Sequence, residues 1–95
     1  MKVRYRTEAR SDLENIYQYL AARNPAGAEN VLRAIYAGIQ FIAENPLAAP
    51  KTTNAGVRVL IVRRYRYKVF YGIDSDAIDV LHIRHTARQP WVSRS

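Results

Sequence analysis

Cations and aromatics are interleaved with β-branched residues from Gly56 to Tyr71, and the pattern resumes, after a short acidic turn, from Val80 through Trp91. In a strand successive side chains point to opposite faces, and β-branched and aromatic residues are the ones that pack well on such a surface. This part of the chain is therefore expected to lay an apolar face on a core. It leaves a rim of arginine and tyrosine toward solvent, suited to an anionic partner.

The N-terminal half supplies what the apolar face needs. Lys2 to Arg6 alternates Val3 and Tyr5 with cations and reads as a short strand. Thr7 is placed to cap a helix whose stripe is Ala9, Leu13, Ile16, Tyr17 and Leu20, ending near Arg23. Asn24-Pro25 then offers an N-cap and a first-turn proline for a second helix, with Ala28, Val31, Leu32, Ile35, Ile39 and Ile42 on one side and a stop at Asn45-Pro46. So short a connection makes the two helices an antiparallel hairpin.

Leu47 to Gly56 has the proline, asparagine and small-residue content of an exposed, mobile loop, and strands follow at about 57–64, 67–73 and 77–85. Asp74-Ser75-Asp76 turns between the last two. The expected fold is α+β, in the order β-α-α-β-β-β, with the helical hairpin packed on one face of a small antiparallel sheet. Residues 1–95 form a single domain in this scheme, with 86–95 as a C-terminal tail.

The length of 95 residues suits one hydrophobic core, and 48% apolar residues are enough to fold it. The formal charge of +7 is unevenly placed: residues 1–45 net +1 and residues 46–95 net +6. A field concentrated in one half draws nucleic acid or an acidic protein. No cysteine is present, so disulfides, thiolate nucleophiles and zinc-thiolate sites are excluded. No apolar run approaches a membrane span and the N-terminus lacks the apolar core of a signal peptide, so the expected compartment is the cytoplasm, with no membrane partner.

The candidate site is the cationic set Arg58, Arg63, Arg64, Arg66, Arg84 and Arg88, with Tyr67 and Tyr71 as stacking surfaces and Trp91 as an interface anchor. His82 and His85 lie three apart in a strand and so face opposite ways, which argues against a shared metal; no metal or other cofactor is implied. His85, at the end of the last strand, is either a structural residue or a general base. The helix pair lacks an arginine-rich recognition helix and reads as structural, not as a DNA-reading motif.

Several segments in order carry a resemblance. They are Ala9-Arg10-Ser11-Asp12-Leu13 with Ile16 and Tyr17, then Asn24-Pro25, Asn45-Pro46 and Gly56-Val57-Arg58. Tyr65 through Tyr71 and Leu81 through Arg88 complete the set. Over nearly the whole chain this resembles the ParE branch of the RelE/ParE superfamily of bacterial type II toxins, also called plasmid stabilisation proteins. The resemblance implies a small basic toxin neutralised by a cognate, often acidic antitoxin. The ParE branch is associated with poisoning DNA gyrase and blocking replication, and the RelE branch with ribosome-dependent mRNA cleavage. An RNase would use His85 as base, Arg64 and Arg88 as phosphate clamps, and Tyr67 or Tyr71 as a stacking platform. The chain lacks the tyrosine after the last strand and the lysine pair in the second strand that many RelE ribonucleases use, which favours gyrase over the ribosome as target.

Overall fold

The structure, a computed structural model, describes residues 1–86. Its elements are β1 (Lys2–Tyr5), α1 (Thr7–Ala21), α2 (Pro25–Glu44), β2 (Arg58–Val62), β3 (Tyr67–Ile73) and β4 (Ala77–His85), in the expected order. α2 begins as its sequence requires. The Asn24 backbone is extended, its side chain accepts the Gly27 N–H at 3.0 Å, and Pro25 occupies the first turn, where its missing N–H costs nothing.

α1 begins differently. Thr7 is already helical and does not cap, and Arg6 at the cap position makes no side-chain bond to the helix. The sheet holds this helix start instead, because the Arg6 N–H donates to the Val80 carbonyl at 2.9 Å.

The strands lie in the order β1-β4-β3-β2. β2, β3 and β4 form the expected antiparallel meander, but β1 runs parallel to β4, with Lys2 beside Ala77 and Tyr5 beside Val80, so the sheet is mixed. The two helices between β1 and β2 give a connection long enough for a parallel placement. Val3 and Tyr5 pack against the core from this edge, and Arg4 reaches Asp74 and Asp76 at 3.2 and 3.3 Å. Exposed ion pairs of that kind contribute little, so the apolar contacts carry the docking of β1.

Both helices cover one face of the sheet. Ala9, Leu13 and Ile16 of α1 and Val31, Ile35, Ile39 and Ile42 of α2 bury with Val69, Tyr71, Ile78, Val80 and Ile83. α2 and β2 meet so closely at Gly38 that a Cβ there would lie 2.9 Å from Leu60 Cδ2. A register shift between Phe70 and Tyr71 sets Phe70 opposite His82 and Tyr71 opposite Val80, leaving Leu81 as the extra residue of a bulge.

The 46–57 loop is tied down, unlike the loose loop its composition suggests. Ala49 is buried, the Tyr71 hydroxyl donates to the Pro46 carbonyl at 2.7 Å, and the Arg58 guanidinium donates to the Ala49 carbonyl at 2.7 Å. Val59 N–H also bonds the Pro50 carbonyl at 3.0 Å, which extends the sheet one rung past β2. Among the described residues no helix is long and apolar enough to cross a membrane.

Candidate functional site: an arginine turn at the end of the sheet

β2 and β3 are joined by Arg63, Arg64, Tyr65 and Arg66, and all three arginines are exposed. The turn is closed by the Arg66 N–H, which donates to the carbonyls of Val62 (2.9 Å) and Arg63 (3.3 Å), with Arg66 itself left-handed at φ 63°. Left-handed backbone in a residue with a Cβ costs about 1–2 kcal/mol, so the surroundings must hold it. They do: the Thr86 N–H donates to the Arg66 carbonyl at 2.8 Å, fastening the turn to the end of β4.

Behind the turn lies a groove of about 370 Å³ between Arg64, Tyr65 and the α2 residues Asn30, Arg33, Ala34 and Ala37. The Arg64 guanidinium stands 5.3 Å from the Tyr65 ring centroid, and Arg33 donates to the Asn30 side chain at 3.0 Å. Among the described residues none of Arg33, Arg63, Arg64 and Arg66 forms an ion pair. A cluster of cations without carboxylates of its own is suited to charge-assisted bonds with carboxylate or phosphate oxygens supplied from outside.

The other sequence candidates divide sharply. Tyr67 and Tyr71 are only 2% and 0% exposed, so neither ring is a stacking surface; both face the helices with Val69. Burial pushes the Tyr71 phenol above its ordinary pKa, against the smaller opposing effects of the Arg58 cation and a backbone bond at Ala49. Arg58 is spent on the carbonyls of the 46–57 loop, and Arg84 is held by the Asp12 carboxylate at 2.5 Å. Neither is a free surface cation.

His85 is half-buried and meets Tyr67 edge to face, with ring centroids 5.1 Å apart. His82 is on the other side of β4, its Nδ1 3.4 Å from Asp12 Oδ2, so the two histidines do face apart as their spacing requires. Arg88 and Trp91 lie outside the described residues.

Two contributors escaped the sequence reading as site residues. Arg33 joins the arginine turn across space from α2. Asp12 organises β4, although it stands within the Ala9-to-Leu13 segment that carried the resemblance. Only the i, i+3 and i, i+4 geometry of α2 relative to the buried Ile35 would have signalled which way Arg33 faces.

The model of the ParE toxin of the type II toxin-antitoxin system parDE matches residues 3–90. The chain belongs to the ParE toxin family. The structure is also similar to a chain of the chromosomal ParDE toxin-antitoxin system from P. aeruginosa, with a TM-score of 0.79 at 22% identity over 90% of this chain and 95% of that one. It is similar as well to a chain of the toxin-antitoxin complex RelBE2 from Mycobacterium tuberculosis, with a TM-score of 0.60 at 22% identity over 88% and 95%. At that identity both likenesses concern the fold, and the higher score falls to the ParDE structure. No curated protein matches the chain by sequence. Family membership makes the chain a type II toxin of the ParE kind, as the ordered segments of its sequence implied.

Proposed function

We propose that this ParE-family toxin acts on DNA gyrase in the cytoplasm and is neutralised by an antitoxin whose acidic segment engages the arginine turn. The observation that carries the proposal is the family match over residues 3–90. The turn supplies the physical mechanism for the antitoxin. Arg63, Arg64 and Arg66 are exposed in the half of the chain that nets +6, and carboxylates brought to them gain charge-assisted bonds while the field speeds encounter.

Two observations weigh against the RelE-type ribonuclease. Its stacking platform would be Tyr67 or Tyr71, and both rings are buried. His85, the candidate base, has its ring against that of Tyr67. A base must reach the 2′-hydroxyl proton within hydrogen-bond distance, and a stacked ribonucleotide beside His85 finds no exposed tyrosine in β3.

Induction of the chain without its antitoxin tests this in cells. The expected result is arrested replication and relaxed plasmid DNA with uncut transcripts. Codon-phased mRNA cleavage that disappears in His85→Ala would instead establish the ribonuclease.

A further inference from the structure

Asp74 and Asp76, which engage Arg4, sit at the turn between β3 and β4, and the arginine turn sits at the other end of β3. A strand of 7 residues is about 23 Å long, more than twice the screening length of about 8 Å at physiological salt, so those carboxylates do not offset the field of the arginine turn. Asp12 is committed to Ile83 and Arg84. Glu29, one helical turn before Arg33, forms no ion pair with it. Arg33, Arg63, Arg64 and Arg66 therefore stand at an end of the sheet whose charge the described residues leave unneutralised.

We infer that this end of the sheet is a binding site for the phosphodiester backbone of duplex DNA. Arg33 and Arg64 line the groove between α2 and the turn, and Arg63 and Arg66 flank it on the turn, all four exposed. A guanidinium matches phosphate oxygens with two parallel bonds. Asn30 adds a neutral donor, because its side-chain oxygen accepts from Arg33 at 3.0 Å and its amide N–H groups are left for a phosphate oxygen. Arg66 holds a left-handed backbone that glycine would adopt more readily, and the side chain kept there is a cation.

The aromatic residues decide between duplex and single strand. Single strands are held by bases stacked on exposed rings, but Tyr67 and Tyr71 are buried and the Arg64 guanidinium stands 5.3 Å from the Tyr65 ring centroid. A duplex keeps its bases inside and offers phosphates, so binding here is independent of sequence. In the reading proposed above, antitoxin carboxylates meet the same arginines, and the two ligands exclude one another. Only that exclusion rests on the antitoxin reading; the DNA site does not.

Fluorescence anisotropy of a labelled duplex of about 20 base pairs, titrated with the purified chain over a salt series, tests the inference. Three to four phosphate contacts predict a slope of log affinity against log salt of about −2.7 to −3.6, a loss of about 40- to 150-fold between about 50 and 200 mM salt. A duplex of scrambled sequence should bind equally. Arg33→Gln, Arg63→Gln and Arg64→Gln should each make the slope shallower by about 0.9, while Arg23→Gln should leave it unchanged. Circular dichroism of these variants should match the wild type, since all four side chains are exposed. No binding at about 50 mM salt, or a slope indifferent to the three substitutions at Arg33, Arg63 and Arg64, overturns the inference. Tighter binding of a single-stranded RNA of equal length overturns it too, and gives the site to RNA. Gyrase and antitoxin enter none of these readouts, so the target, the antitoxin and the DNA site stand or fall separately.

Discussion

The Asp12 carboxylate accepts the Ile83 main-chain N–H at 2.9 Å, so a helix side chain takes the place of a missing strand. β1 stops pairing with β4 at Val80, which would leave the rest of that edge without a partner. Asp12 fills the gap and engages Arg84 as well, with His82 alongside. One residue of α1 thus fixes the segment of β4 that leads to His85 and Thr86, and Thr86 fastens the arginine turn.

Asp12→Ala should accordingly destabilise the fold by about 2–4 kcal/mol, because it strands a main-chain donor and a half-buried guanidinium together. Asp12→Asn keeps an acceptor for Ile83 and should cost less. Urea unfolding of the two variants side by side checks the order.

Arg66→Gly should stabilise the chain by up to about 1 kcal/mol, as glycine adopts the left-handed backbone without the Cβ penalty, partly offset by its greater unfolded-state freedom. The same change removes a cation from the turn and should slow antitoxin association. Opposite signs in thermal unfolding and in binding kinetics would identify Arg66 as a residue kept for its charge at some cost in stability.

The helices, the order of elements and the family were legible in the sequence, because a stripe such as Val31, Ile35, Ile39, Ile42 has a single reading and Asn24-Pro25 specifies its own local geometry. The direction of β1 was not, since a four-residue strand carries no signal of its neighbour's direction. The burial of Tyr67 and Tyr71 was legible as well. They alternate with Val69, and three residues two apart share a face, so the burial of that valine commits both tyrosines to the core. The internal partners of Arg58 and Arg84 were not legible, because composition counts cations while the fold decides which of them already have acceptors within the chain.

Tyr71→Phe should cost about 1 kcal/mol at neutral pH through loss of the bond to Pro46. It should also change the alkaline limb of the stability profile. Folding raises the Tyr71 pKa above the ordinary 10.0, so near and above that pH the unfolded chain binds fewer protons than the native one and stability falls as pH rises. Below about pH 9 this contribution is fully present. The variant should show a shallower decline, with a residual slope from Tyr5, which burial and the neighbouring Tyr36 also raise. Denaturation midpoints across the alkaline range measure both.

Reversing Arg64 and Arg66 to Glu should slow antitoxin association by about tenfold or more and flatten its dependence on salt, since these exposed charges act mainly on encounter. Arg23→Glu is the comparison, being exposed at the far end of α1, where its guanidinium lies 3.8 Å from the Tyr19 ring centroid. Stopped-flow rates over a salt series distinguish the two; a larger effect at Arg23 would place the antitoxin on the helices.

The central claim, a gyrase-directed toxin, is tested most directly by DNA supercoiling with purified gyrase and this chain alone. Supercoiling should fail as the chain is titrated in, and adding the cognate antitoxin should restore it. Full gyrase activity at saturating concentrations of a folded chain would contradict the account.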